Sequence, residues 1–255
     1  MSSEEEKEKE KEKDKENGKI PEVSFVLVDY SVEDAETEEL IDTTMEDVAR
    51  EKKFSGRDQF FPMLVIIGEK RLLPSIEEAI AEMDEGETKT IILKPEEAYG
   101  PYDESKVVTF SLERIRRALG SNEIRPGTVI NIENKRGVIR SISGGRVKVD
   151  FNHPLAGKTL RARIKLSKFL KSEEEKIKAL ASDIFDVDPS KFEVSLKGST
   201  VMIELPRLAY SKRDSFIRKV RLLSAIMKYM PEVEKAKFIE TFDIPKEDRR
   251  GTGLT

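Results

Sequence analysis

Leu72-Leu73-Pro74-Ser75-Ile76-Glu77-Glu78 opens a short helix, and Glu97-Ala98-Tyr99-Gly100 closes the same region. About fifty residues later comes Asn152-His153-Pro154-Leu155-Ala156-Gly157. Ser75 and Glu78 have the spacing of a capping box, with Pro74 just before it, so the sequence predicts a helix starting at Ser75. Ile76, Ala79, Ile80 and Met83 then share one apolar face. Asp84-Glu85-Gly86-Glu87 reads as a turn. Around the helix the chain reads as short apolar runs: Val23 to Tyr30, Leu40 to Thr44, Met63 to Ile67 ended by Gly68, and Thr88 to Leu93. One short helix against several strands predicts an α+β domain whose helix covers a curved sheet.

Residues 102–150 read as a second unit. Ser111 to Leu119 has the pattern of a helix stopped by Gly120. Thr128 to Ile132, Val138 to Ile142 and Arg146 to Phe151 are strand-like. They are separated by Asn134-Lys135-Arg136-Gly137 and Ser143-Gly144-Gly145, both hairpin-turn sequences. Leu160 to Leu166 returns to a strand pattern long enough to rejoin the first sheet. Beyond it, Ser172 and Glu175 form another capping box, opening a helix to about Phe185. Phe192 to Leu196 and Thr200 to Leu205 alternate and flank Lys197-Gly198. Asp214 to Met230 is a long helix on which Phe216, Val220, Leu223, Met227 and Met230 line one face, and Lys235 to Phe242 is a last strand. The order αββαβ predicts a small separate domain.

Composition narrows the chemistry. The 255 residues contain no cysteine and one histidine. Disulfides and thiolate metal sites are excluded, and a lone histidine makes neither a metal site nor a proton relay. His153 reads as a structural residue. The absence of cysteine fits a reducing cytoplasm. No apolar run approaches the ~20 residues of a membrane-spanning helix. Residues 2–19 form a Glu/Lys tract with no apolar side chain, which predicts a disordered, solubilising tail. Charge is unevenly placed: residues 20–101 carry 21 acidic and 8 basic side chains, and residues 102–171 carry 6 acidic and 16 basic.

The paired motifs at 72–100 and 152–157 resemble a SlyD-like member of the FKBP-type peptidyl-prolyl cis/trans isomerases. In such proteins an inserted domain replaces the active-site flap. The resemblance covers roughly residues 22–171. It implies an FKBP-like antiparallel sheet over 21–101 and 151–171, an inserted α+β domain over 102–150, and a C-terminal αββαβ domain over 172–245. Tails occupy 1–20 and 246–255. It also implies a cofactor-free, metal-free isomerase acting on X-Pro bonds in unfolded or proline-containing polypeptides.

Carried over by motif, the site would comprise Tyr30, Ile41, Asp42, Met63, Leu72, Leu73, Ile76, Tyr99 and Ala162. Asp42 would contact the tyrosine and polarise the client amide. The Leu72-Leu73 backbone N–H would anchor the client, and the Tyr99 hydroxyl would hydrogen-bond a client carbonyl. Ile41, Ile76 and Ala162 stand where the family has aromatic side chains, which implies an aliphatic pocket and weaker binding of isolated peptides and of macrolides. Turnover is expected to be nearly flat from about pH 6 to 8, because bond rotation itself needs no titrating group.

In SlyD-like proteins the insert serves as a chaperone surface. Here Val107, Val108, Phe110, Leu112, Ile130, Ile132, Val138 and Ile139 would supply its core and a client-binding groove. The C-terminal unit resembles the extra domain of long archaeal members, implying a possible homodimer. Met227, Tyr229 and Met230 read as core. Its basic run of Lys212, Arg213, Arg218, Lys219, Arg221 and Lys228 reads as a solvated helix face, with ribosome contact a weaker reading. The competing functional readings are a non-catalytic holdase that keeps the isomerase frame and a dimeric assembly module.

Overall fold

The computed structural model describes residues 24–119 and 124–243. The expected N- and C-terminal tails and the Gly120 helix stop lie outside those residues. The described residues form a mixed α+β structure built on three sheets. The first is centred on a long strand, β1 (Ser24–Asp34). One edge of β1 pairs in its first half with β3 (Met63–Ile67) and in its second half with β2 (Leu40–Thr43). Its other edge pairs with β9 (Leu160–Phe169), which in turn pairs with β4 (Thr88–Leu93). All these pairings are antiparallel. Two short helices accompany this sheet, α1 (Glu46–Glu51) and α2 (Pro74–Ala81). The first of them is absent from the sequence reading.

Side chains alternate across β1, as the pleat requires. Val26 and Val28 face α2 and pack with Val65, Ile80, Leu93, Ile164 and Leu166. Phe25 points the other way, and there the sheet is covered by the C-terminal residues. Phe25, Leu64 and Ile66 belong to the same buried cluster as Ile177, Leu180, Phe185, Val201, Leu222 and Ile226. The Tyr229 ring meets Phe25 edge-on at 5.1 Å. This explains why β3, Met-Leu-Val-Ile-Ile, is apolar at every position rather than alternating: both of its faces are buried. Two ion pairs extend the contact to the loop after β3, Lys228 with Glu69 at 2.7 Å and Arg71 with Asp183 at 3.1 Å.

The second sheet, wholly antiparallel, holds β5 (Val107–Ser111), β6 (Val129–Ile132), β7 (Lys135–Ser143) and β8 (Arg146–Asp150) in the order β5-β8-β7-β6. Helix α3 (Leu112–Leu119) lies on it through Ile115. The third holds β10 (Glu193–Lys197), β11 (Thr200–Leu205) and β12 (Lys235–Glu240), the last pair parallel. Helices α4 (Glu173–Phe185), α5 (Arg207–Tyr210) and α6 (Ser215–Tyr229) complete that unit. The Ser172–Glu175 capping box is formed as the sequence predicts, with Glu175 N–H donating to Ser172 Oγ at 3.2 Å.

Four local expectations are corrected. Helix α2 starts at Pro74 with Leu73 as its cap, not at Ser75. Proline needs no N–H partner and already has a helical φ, so it takes the first position. Glu77 instead accepts the Gly68 N–H at 2.6 Å. The β6–β7 turn is Glu133-Asn134, both with positive φ, and not Asn134 to Gly137. Gly137 sits within β7, where an added Cβ would lie 2.7 Å from Val149 Cγ1, so close packing demands glycine there. Residues 107–111 form an edge strand that the sequence reading missed, and part of the next expected helix, Ser111, belongs to it.

The fourth correction concerns α6. Its buried face is Leu222 and Ile226, continued by Met230. Phe216, Val220 and Met227, which the sequence groups on one apolar face and of which Met227 reads as core, look outward, with Phe216 76% and Met227 74% exposed. The helix carries apolar residues on two neighbouring stripes, and periodicity alone does not say which one the core takes. Much of the basic run is engaged within the chain. Lys228 pairs with Glu69, Arg218 with Asp214 and Lys219 with Glu240, while Lys212 Nζ donates to the Phe185 carbonyl at 2.6 Å.

Candidate functional site

The concave side of the first sheet, roofed by the start of α2 and two loops, encloses a cavity of about 460 Å³. Tyr30, Ile41, Asp42, Met63, Leu72, Leu73, Ile76, Tyr99 and Ala162 all line it. They come from β1, β2, β3, the loop into α2, the Ala-Tyr-Gly corner and β9. Ala162 forms the floor, fully buried and paired between Val32 and Ile91. Val28, Ile80 and Ile164 complete an aliphatic wall.

The polar groups sit at the rim in a defined network. Tyr30 OH donates to Asp42 Oδ2 at 2.6 Å. Arg57 Nε donates to Asp42 Oδ1 and Arg57 Nη2 to Asp42 Oδ2, both at 2.8 Å, and Nη2 also donates to the Tyr30 hydroxyl. The Thr43 N–H donates to Asp42 Oδ1 at 2.9 Å. Burial pushes the Asp42 carboxyl up, but the hydrogen bonds from Arg57 and Tyr30 and the Arg57 charge outweigh it, leaving the group below its ordinary value. Burial and the Asp42 carboxylate together push the Tyr30 phenol well up. Asp42 therefore stays ionised and Tyr30 neutral across the neutral range. Both Asp42 oxygens are doubly occupied, so this carboxylate fixes Tyr30.

Sequence reasoning does not single out Arg57. It lies in a loop without periodicity, and its one signal is that it is among the few cations in an acidic stretch.

Two kinds of donor are left open. Among the described residues neither the Leu72 nor the Leu73 N–H has a hydrogen-bond partner. The Tyr99 hydroxyl likewise has none. Leu73 is extended, at φ −58 and ψ 137, because it precedes proline and caps the helix, and this leaves its N–H outside any ladder. Tyr99 is held by a one-turn helix, Pro95–Glu97, and by the Gly100 N–H donating to the Pro95 carbonyl at 2.7 Å. The two distant motifs meet here: Gly157 N–H donates to the Gly100 carbonyl at 2.9 Å. Gly157 has φ +78, and an added Cβ would come within 3.0 Å of Tyr102 Cβ.

The residues expected to bind clients divide. Phe110, Ile130, Ile132 and Ile139 are buried in the core under the second sheet with Ile115, Val147 and Val149. They present no surface to a client. Val107, Leu112 and Val138 are half-buried, and Val108 is 40% exposed. Val129 on β6 is also exposed. The junction with the first sheet is tightly bonded. Asp150 accepts from Tyr102 OH at 3.0 Å, from Arg140 and from Asn152, and Asn152 in turn bridges to the Asp103 backbone. Among the described residues no group of three or more His, Cys, Asp or Glu side chains is placed to hold a metal ion.

The cavity is mostly aliphatic, with unpaired N–H and phenol donors at its edge. The chain resembles several known proteins. A short-type peptidyl-prolyl cis-trans isomerase of Methanocaldococcus jannaschii is 34% identical over 152 residues, 59% of this chain and 94% of that protein. The FKBP-type isomerase SlyD of Helicobacter pylori is 34% identical over 125 residues, 48% of this chain and 66% of that protein. An FKBP-type 16 kDa isomerase of Escherichia coli is 32% identical over 115 residues, 44% of this chain and 76% of that protein. Family models described as FKBP26_C-terminal and as FKBP26, IF domain match residues 173–243 and 122–155. The chain belongs to the FKBP-type peptidyl-prolyl cis/trans isomerases.

Proposed function

We propose that the 460 Å³ cavity is where X-Pro bonds of polypeptide clients are rotated, with Tyr30, Ile41, Asp42, Met63, Leu72, Leu73, Ile76, Tyr99 and Ala162 as its working surface. The barrier to rotation, about 18–20 kcal/mol, is amide resonance. The twisted imide has lost that resonance and its charge separation, so a dry aliphatic cavity favours it over the planar form. A thousandfold acceleration needs about 4 kcal/mol of such preference. The observation that carries the reading is the set of unpaired donors, Leu72 N–H, Leu73 N–H and Tyr99 OH, around a mostly apolar cavity whose other polar lining is Tyr30, Asp42 and Arg71. They hold the carbonyls on either side of the proline while the bond between them turns.

The insert is proposed as a chaperone surface for non-native clients. Its sheet has two edges, β5 and β6, and each carries an exposed valine, Val108 and Val129. An extended client would add along such an edge through its backbone. The C-terminal unit is proposed to pair two copies of the chain through the exposed Phe216, Ile217, Val220 and Met227 stripe. The cysteine-free sequence supports a reducing compartment, the cytoplasm, as the place of action.

The test is NMR exchange between the cis and trans forms of a proline peptide. The protein should speed exchange, and Tyr99→Phe should lower kcat/KM about fivefold, the worth of roughly 1 kcal/mol of hydrogen bond. No acceleration by the native chain refutes the proposal.

A further inference from the structure

Tyr99 has a difficulty that its role makes acute. It is 42% exposed, its hydroxyl has no partner among the described residues, and it sits on a loop corner rather than a strand. A side chain so placed is free to change rotamer, and a donor that wanders binds weakly. What holds its ring is His153. The two rings stack face to face, with centroids 4.1 Å apart and planes 2° from parallel. His153 is itself fixed: its Nδ1 accepts the Leu155 N–H at 3.2 Å, and its carbonyl accepts the Ala156 N–H at 2.9 Å. Leu155 lines the cavity, so the imidazole is linked to two lining residues, stacked on Tyr99 and hydrogen-bonded to the Leu155 backbone.

We propose that His153 is a positioning residue for the isomerase: its ring clamps Tyr99 so that the phenol is aligned before the client arrives. The proposal rests on reading Tyr99 as the donor to a client carbonyl. An aromatic stack of this kind is worth about a three- to tenfold change in the population of the aligned ring. The client carbonyl is held in the planar and the twisted forms alike, so losing the clamp raises KM and leaves kcat nearly unchanged.

Two substitutions separate the clamp from a turn-holding role. His153→Phe keeps a stacking ring and loses the acceptor for the Leu155 N–H. His153→Asn keeps a side-chain acceptor, as in an Asx turn, and loses the ring. The side chain is exposed, so neither change disturbs the core. With a proline peptide, His153→Asn is expected to raise KM about three- to tenfold with kcat within about twofold, and His153→Phe to stay within about twofold of the native KM. His153 is the only histidine, so its Hε1 proton gives one resonance, shifted upfield by the Tyr99 face. Tyr99→Leu should move that resonance back.

The proposal is overturned if His153→Phe is impaired as much as or more than His153→Asn, if neither is impaired, or if the resonance ignores Tyr99→Leu. Tyr99→Phe, measured alongside, separates the two layers. If it leaves kcat/KM unchanged, the reading of Tyr99 as donor fails. If it slows the reaction while both His153 variants behave as the native protein, only the clamp fails.

Discussion

Replacing Arg57 with leucine is the most informative perturbation of the site, because it removes one guanidinium that serves two pocket residues. The substitution deletes both hydrogen bonds to Asp42 and the one to the Tyr30 hydroxyl. The pair is about one-third exposed on each side, 31% for Arg57 and 37% for Asp42. Its loss should fall between that of an exposed pair, about 0.2–1 kcal/mol, and that of a broken buried one, about 3–5 kcal/mol. About 1–2 kcal/mol of stability is expected, seen as a fall of a few degrees in Tm.

Freed on one side, Tyr30 should no longer hold one wall of the cavity, and kcat/KM should fall about fivefold, or roughly 1 kcal/mol. The pH dependence has a definite sign. The Asp42 carboxyl is held below its ordinary value of 3.8, so the pair stabilises the fold above that value and the contribution is lost as pH falls through the depressed one. The stability gap between the native chain and Arg57→Leu should thus shrink below about pH 4. Much of the cost is a carboxylate left without its partner. Adding Asp42→Asn to Arg57→Leu should therefore recover stability without recovering activity. Thermal melts and proline-peptide exchange on the four proteins of this cycle decide it. A double variant less stable than Arg57→Leu, or native activity in Arg57→Leu, refutes the reasoning.

Deleting residues 102–150 and closing the gap with a short loop should preserve isomerisation of a small peptide but cut catalysis of proline-limited protein refolding; unchanged refolding would show that clients do not use the insert. Asp34 and Asp150 are buried, and their carboxyls lie at about 2, Asp34 through the Lys158 hydrogen bond and Asp150 through Asn152, Arg140 and Tyr102 against the cost of burial. Each should contribute roughly 2 kcal/mol above the unfolded value near 3.8, lost as pH falls from about 4 towards 2. Asp150→Asn should flatten that acid limb in pH-dependent urea unfolding, and an unchanged limb would count against it. Phe216→Glu with Met227→Lys should turn a dimer into a folded monomer in sedimentation, because both side chains lie outside the core, and should abolish any dependence of Tm on protein concentration; a native chain that is already monomeric would remove the proposed interface.

Much of this molecule is local and could be read from the chain. Capping at Ser172 and the Gly144-Gly145 hairpin depend on residues a few positions apart, and both are present as the sequence predicts. The Leu72 to Glu78 helix start was legible too, displaced by one residue because proline competes with serine for the first turn. What the sequence left open were choices between equivalent partners. The continuous apolar run of β3 announced two buried faces without naming what covers the second; Phe25, Leu64 and Ile66 needed Ile177, Leu180 and Tyr229 from residues more than a hundred positions away. Helix α6 offered two apolar stripes, and only the packing of Leu222 and Ile226 decided which one remains outside. Arg57 acts through long-range contacts with Asp42 and Tyr30, and His153 through one with Tyr99, and such contacts leave no period in a sequence. The chain by itself determined most of the helices, strands and turns, because those preferences arise within a few residues; α1, β5 and the Glu133-Asn134 turn are the exceptions. Only the tertiary structure decided which surfaces meet, because apolar burial is non-directional and any complementary face will satisfy it.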